Sequence, residues 1–448
     1  MREKIKEKVL SYQNEMINSI IESIKIPSVI SEEVNGCPFG ENIDKALKHI
    51  LKLCENLGFK TVYKDGYYGY AEVGSGNELI GILGHIDVVP EGDINEWKYN
   101  PYEGVIEDGN IYGRGTQDDK APVISCIYAV KSLMDLNIDF NKRIRFIFGT
   151  DEENLWRCIN KYVENNEEIP NYSFTPDSIF PMINAEKGLV QALLSTSGVE
   201  GFDFKLGNAF NSVPDKAFYD GEDLEKLKIE LDRLNFEYEI LEEGINVIGK
   251  AMHSQSADSA INAISRLCIA LNNIGKTCDS IRFIANVIGE DANANNIIKN
   301  CEDDVSGKLT FNIGKLEIDN EKQVVSVDLR IPVTFDKDLV IGELIKKAKE
   351  YNLEYKEHDY LKAIYVPEDN FLIKSLRKVY EAETGLDSKP LSSGGATYAR
   401  ALENCVAFGP MFGDSKKTAH QTNEYICIEE LMKATDIYAL SIYELLKG

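Results

Sequence analysis

The 448-residue chain has no Cys-x-x-Cys pair, no long apolar run and no surplus of positive charge, and each absence removes a class of protein. Its nine cysteines are odd in number and scattered from Cys37 to Cys427. That usage argues against a disulfide framework or a thiolate zinc site and fits reduced thiols in a cytosol. No apolar stretch approaches ~18 residues, so no membrane span is expected. The first eleven residues are charged and helical in character, without the apolar core and cleavage site of a secretory signal. A cytoplasmic location is therefore expected. Lys plus Arg is 49 against 74 for Asp plus Glu, a net charge of -25. Such a surface repels phosphate backbones and anionic lipid, so neither nucleic acid nor membrane is an expected partner. It suits cationic ligands, metal ions among them. Gly113-Arg114-Gly115 is not followed by the Gly-Lys-Ser/Thr of a phosphate-binding loop, and no fixed-period repeat is present.

What is present is the pattern of an open α/β sheet. Ile5, Val9, Ile17, Ile20, Ile21 and Ile24 recur at helical spacing and predict one opening amphipathic helix, with a second over residues 43–57. Short apolar runs at 79–84 and 144–148, bounded by Gly or Asp, predict buried strands, and 120–136 between them predicts a helix. After Gly188 the texture changes. Alternating stretches at 308–312 and 324–330 lie among helical stretches near 222–233 and 260–274, predicting an α+β unit with antiparallel strands. Helices at 371–384 and 428–447 return to the first texture. The expected architecture is a discontinuous α/β catalytic domain, residues 1–187 and 364–448. Its open mixed sheet is flanked by helices, and an α+β lid domain, 188–363, is inserted between its halves.

Five metal-type positions stand out within this frame. His85 follows the strand at 79–84, Asp118 lies just before the helix at 120, and Glu152-Glu153 follow the strand that ends in Phe148-Gly149-Thr150. Asp177 closes the run from Tyr172 to Pro176, and His420 lies far downstream. Ligands of an open α/β sheet gather outside the carboxyl ends of its strands, where three of these candidates emerge. Imidazole and carboxylate suit zinc, manganese or cobalt. Two histidines and three acids are too many for one ion with an open position, but they suffice for two ions sharing a bridging carboxylate. The Glu152-Glu153 pair can divide its labour, one acid on metal and the other a base. Asp87, two residues after His85, is placed to accept the other ring N–H. Taken singly, each feature has a plain reading: a solvated acid pair, a satisfied histidine, a glycine turn.

Together the segments resemble the co-catalytic metallopeptidase family that includes carboxypeptidase G, carnosinase and the bacterial dipeptidase PepV, and the PepV-like branch in particular. The resemblance runs in order through Gly84-His85-Ile86-Asp87-Val88-Val89-Pro90 with Trp97, Gly113-Arg114-Gly115 leading to Asp118-Asp119-Lys120, and Thr150-Asp151-Glu152-Glu153. It continues through Thr175-Pro176-Asp177, the segment from Gly394 to Arg400, and Ala419-His420-Gln421-Thr422-Asn423-Glu424. It implies a zinc-exopeptidase-like catalytic domain. One ion would be held by His85, Asp118 and Asp177, and the other by Asp118, Glu153 and His420, with zinc expected and manganese or cobalt as alternatives. Asp118 would bridge, Asp87 would orient His85, and Glu152 would be the general base in hydrolysing a dipeptide with free termini. In the lid, Asn211 and His253 would reach the scissile carbonyl, and Arg330 would take the substrate carboxylate through two parallel hydrogen bonds. Gly394 and Gly395, preceding a helix, could offer it N–H groups. A lid of about 175 residues implies a monomer that needs no partner chain to close. Two other functions are weighed: an N-acyl-amino-acid amidohydrolase of aminoacylase or desuccinylase type, and an inactive relative that binds peptide or metal. The Asn211, His253, Arg330 set disfavours the first, and the complete ligand set with its base disfavours the second. Ala121, Asn154, Ser254 to Ala257 and Met411-Phe412-Gly413 depart from the common pattern. None removes a ligand.

Overall fold

In the computed structural model, which describes residues 1–448, the apolar runs become the middle of a mixed sheet. Six of its nine strands frame the site: β1 (Lys60–Lys64), β2 (Tyr68–Val73), β3 (Leu79–His85), β4 (Arg143–Gly149), β5 (Tyr172–Thr175) and the strand Cys405–Ala407. The order is β1-β2-β4-β3-β5 and then Cys405–Ala407. β3 runs parallel to β4 and β5, and Cys405–Ala407 runs parallel to β5. β1 and β2 are antiparallel additions on the β4 side. Every residue of β3 is buried. A strand covered on both faces reads as an unbroken apolar run, because no position alternates into water.

Helix Lys120–Asp135 packs against β3 and against the final helix, Ile428–Lys447, while Glu41–Leu57 packs against β1 and β2. Gly84 makes the first of these contacts possible. A β-carbon there would lie 2.1 Å from Val123 and 2.8 Å from the Asp119 carboxylate, so glycine lets the helix start directly against the strand end. The single opening helix expected from the isoleucines is instead two, Arg2–Ser11 and Gln13–Ile24, broken at Tyr12. Periodicity survives the break because both pieces keep an apolar stripe buried.

The chain divides into two compact units: Met1–Asn184 with Tyr365–Leu391 and Thr397–Gly448, and Ala185–Ile364 with Ser392–Ala396. The second holds an antiparallel sheet of β6 (Gly188–Ser197), β7 (Phe204–Leu206), β8 (Thr310–Ile318), β9 (Lys322–Ile331) and β10 (Glu354–Leu361). The order is β7-β8-β9-β6-β10. Val190, Ala192 and Leu194 of β6 and Val325, Val327 and Leu329 of β9 join Leu267 and Leu271 of helix Ala263–Asn273 in one apolar core. Each such aliphatic side chain stabilises the unit by roughly 1.5–3 kcal/mol on burial. The return of Ser392–Ala396 to this unit departs from the expected third segment. Its cause is local: Gly394 accepts a hydrogen bond from Arg330 and packs against Gln255.

Candidate metal centre

His85 ends β3 and is fully buried. Its backbone N–H is held by the Asp119 carboxylate at 3.2 Å. On the ring, Nδ1 lies 3.0 Å from the Asp87 main-chain oxygen and 3.5 Å from that residue's carboxylate. Asp87 thus faces this nitrogen with both its carbonyl and its carboxylate, the carbonyl the nearer. The Asp87 side chain is also engaged elsewhere, accepting the N–H groups of Glu152 at 3.2 Å and Glu153 at 3.1 Å. The reason is parallel register. His85 pairs with Gly149, so a carboxylate just past β3 meets the turn just past β4, where those N–H groups need partners.

Nε2 of His85 faces a group of acids, 2.9 Å from Asp118 Oδ1, 3.9 Å from Asp177 Oδ2 and 4.0 Å from Glu152 Oε2. His420 arrives from the far end of the chain. Its ring is half exposed, its backbone is left-handed at φ 61°, and its Nε2 lies 2.9 Å from Glu153 Oε1 and 3.0 Å from Asp118 Oδ2. Asp118 therefore presents one oxygen to each imidazole. Two groups result, His85–Asp118–Asp177 and Asp118–Glu153–His420, and within each the ligand atoms lie within 4.8 Å of one another.

The electrostatics follow from crowding acids away from water. Burial, helped by Glu153, Asp118 and Asp87 and opposed by His85, pushes the Glu152 carboxyl up to about 8. Burial likewise raises Glu153 against the pull of His420, and raises Asp177 with help from Asp118 and Asp119. Burial works against a charged His85, but the carboxylates at its two nitrogens outweigh it and raise the ring well above its ordinary value. Asp118 and Glu153 hold His420 up to about 10. His85 Nε2 and Asp118 Oδ1 are buried close together, yet neither has an aligned hydrogen-bond partner. Convergent imidazole nitrogens and carboxylate oxygens, in acid excess and with orphaned lone pairs, fit divalent cations of the zinc, manganese or cobalt kind. Glu152 belongs to neither ligand group.

The second unit gathers the predicted substrate residues around Arg330, which lies on β9. Its Nε and Nη2 bind the Asp328 carboxylate at 2.6 and 2.9 Å, Nη2 also reaches Ser254 Oγ at 3.1 Å, and Nη1 donates to Gly394 O at 2.9 Å. The fork expected for a substrate carboxylate is thus occupied by Asp328, since a guanidinium this buried needs a counter-ion of its own. Asn211 O accepts the Ser254 N–H at 2.9 Å, and the neighbouring Ser212 bridges to His253. His253 Nδ1 accepts the Gln255 N–H at 3.3 Å, which leaves its proton on Nε2. Partial burial and the nearby Arg330 lower its pKa, so the ring is neutral near pH 7. The Gly395 N–H donates to Ser393 Oγ at 2.9 Å. The expected helix beyond the glycines is only the 3-10 turn Tyr398–Ala401, which is too short to build up a dipole for an anion.

Sequence reasoning gave no role to Arg114, Gln117, Glu424 or Tyr398. The Tyr398 ring stands edge-on to His85, with centroids 6.2 Å apart, and its hydroxyl lies 3.2 Å from Cys158 Sγ. Gly149 leaves it room, since a β-carbon there would sit 2.1 Å from that hydroxyl. The other three tie backbone to backbone, an action that leaves no period or motif in a single sequence.

Residues 81–444 match the model of Peptidase family M20/M25/M40. YtjP of Bacillus subtilis (strain 168), provisionally named a dipeptidase, is 36% identical over 466 residues, covering 98% of this chain and 99% of its own. SAB1611c of Staphylococcus aureus (strain bovine RF122 / ET3-1), named in the same way, is 35% identical over 471 residues with the same coverage. Among solved structures, human carnosine dipeptidase 1 superposes with a TM-score of 0.62 at 15% identity, covering 100% of this chain and 99% of its own. The M20 family metallo-carboxypeptidase Sso-CP2 from Sulfolobus solfataricus gives 0.59 at 20% identity, covering 96% and 99%. At those identities the two structures speak for the fold alone, and it is the expected one, an α/β catalytic domain with an inserted lid. Matched over most of its length by the family model and over nearly all of it by relatives above 30% identity, this chain belongs to the M20/M25/M40 peptidases and is a hydrolase of that family.

Proposed function

We propose that the protein is a two-metal dipeptidase that hydrolyses the amide bond of dipeptides with free termini. The observation that carries the reading is Asp118, whose two oxygens face the imidazoles of His85 and His420 at 2.9 and 3.0 Å. Relatives provisionally named dipeptidases, matching end to end, support the substrate class. His85, Asp118 and Asp177 would hold one cation and Asp118, Glu153 and His420 the other, zinc being the first expectation for this donor set. When bound, such a pair supplies Lewis acidity, making water a stronger acid and drawing charge from a carbonyl oxygen.

Glu152 is the general base. Its carboxyl lies 4.0 Å from His85 Nε2 yet belongs to neither ligand group, so it is free to take a proton from water and return it to a leaving amine. Asp87 fixes the turn that carries it. His253, neutral with its proton on Nε2, would donate to a substrate oxygen that gains negative charge, and Asn211 would serve the same oxygen, as the family resemblance implies. Arg330, held in one orientation by Asp328, contributes positive charge towards the substrate carboxylate, with Gly394 and Gly395 shaping that end. We read the enzyme as a cytoplasmic monomer. All nine cysteines are free thiols, which suits a reducing compartment.

The test is a panel of dipeptides assayed beside N-acetylated and N-succinylated amino acids, with and without excess chelator, on protein of measured metal content. Dipeptides alone should be cleaved, and chelation should abolish cleavage. Turnover confined to the acylated set would make the protein an N-acyl-amino-acid amidohydrolase. Full hydrolysis in chelator would end the metal mechanism.

A further inference from the structure

We propose that Glu424 and Gln117 are positioning residues, forming a reciprocal clasp that holds Asp118 and His420 in place before any metal arrives. The inference rests on the two-metal reading above and adds to it how the second site is assembled.

Two loops meet here, one carrying Asp118 and the other His420, and each sends one side chain into the backbone of the other. Glu424 is fully buried. Its Oε1 accepts the N–H groups of Gln117 at 2.8 Å and of Gly115 and Asp118 at 3.2 Å, and its Oε2 accepts Arg114 Nη1 at 2.7 Å and Gly115 N–H at 3.2 Å. The Gln117 amide works in the opposite direction. Its oxygen accepts the N–H groups of Thr418 and Ala419 at 2.8 and 2.9 Å, and its nitrogen donates to Lys416 O and Tyr425 O at 3.1 and 3.2 Å. All four hydrogen-bonding positions of that amide are used. Arg114 adds the third loop, donating to Gln421 O and to Pro90 O, each at 3.2 Å. Pro90 lies on the segment that leaves His85.

Three features point to positioning rather than general cohesion. The bonds land on Asp118 itself and on the residue immediately before His420. His420 is left-handed, a conformation a β-carbon disfavours, so its backbone must be held from outside. And both oxygens of Glu424 are filled by converging N–H donors, where an amide at 424 would turn an N–H of its own against them.

The experiment uses full-length protein and zinc, titrated at buffered free concentrations, with Glu424→Gln and Gln117→Ala beside wild type. Wild type should bind two ions. Each variant should keep one of them and bind the other ~10–100-fold more weakly, the usual cost of losing a group that orients a ligand. Turnover should recover at saturating zinc. In chelator-stripped wild type, the amides of Gln117, Asp118, Thr418 and Ala419 should already exchange slowly with deuterium. Wild-type stoichiometry and affinity in both variants would overturn the clasp and leave the metal reading intact. So would fast exchange in stripped protein that slows only on adding zinc, and this holds even if a variant does not fold. Wild type that binds no zinc would sink the metal reading, and the clasp with it.

Discussion

Each unit buries a cluster of charge, and the two are balanced in opposite ways. Around Arg330 the account closes: Asp328 is fully buried against a guanidinium 3% exposed, and Gln191, Ser254 and Gly394 satisfy what remains. Around Asp118 it does not. Asp118, Glu152, Glu153 and Asp177 crowd upon His85 and His420, with Asp87 and Asp119 behind them. A matched buried pair serves the scaffold, because both charges carry their own counter-ion. A buried acid excess needs something from solution, either protons or cations. The raised carboxyls of Glu152, Glu153 and Asp177 register that need.

The sharpest way to probe the contrast is to change an acid outside both ligand groups. Glu152→Gln should lower kcat by about 10²–10⁴-fold, the contribution of a general base, while metal analysis still finds two ions. Full activity in that variant would mean that the acid at 152 only adds charge. Next come substitutions that should act with opposite sign. Asp328→Ala leaves the Arg330 charge buried and unpaired, and should cost about 3–5 kcal/mol in urea unfolding. Asp177→Asn in chelator-stripped protein relieves like-charge crowding and should raise Tm. A fall in both would abolish the distinction between the clusters.

The smallest effect is in pH, again with opposed signs. The folded-state pKa of Glu152, about 8, lies above its ordinary 4.5. In stripped protein its contribution to stability is complete below pH 4.5 and is lost as pH rises through about 8, because the folded state holds the proton more tightly. His253 lies below its ordinary 6.5, so its contribution is present above pH 6.5 and declines as pH falls, when the unfolded chain takes the proton first. Its ring keeps contact with solvent, so the loss should be slight. Unfolding of stripped protein across pH 5 to 8, beside Glu152→Gln and His253→Gln, should show each variant flattening one slope only.

Much of this was legible in the sequence because strand ends are. β3 and β4 announce themselves as apolar runs, and in a parallel pair whatever follows them emerges at one edge, which brings His85 and Glu152-Glu153 together. His420 was reachable only through the family resemblance, since no periodicity links it to Asp118. The break at Tyr12 and the return of Ser392–Ala396 escaped because periodicity is blind to a turn that keeps the stripe in phase and to a five-residue excursion. The Asp87 contacts to Glu152 and Glu153, the Asp328 counter-ion of Arg330 and the reach of Glu424 were passed over for one reason. Each engages main-chain or scaffold groups, and residue type alone does not say whether a charged side chain faces a ligand or a neighbouring backbone.

The unequal access of the two imidazoles has a consequence for supply. His85 is sealed at 0% exposure, while the His420 side chain is 52% open. An ion held by Asp118, Glu153 and His420 would therefore sit behind an imidazole open to the medium, whereas one held by His85, Asp118 and Asp177 would rest against a sealed ring, and a limiting chelator should empty the His420 side first.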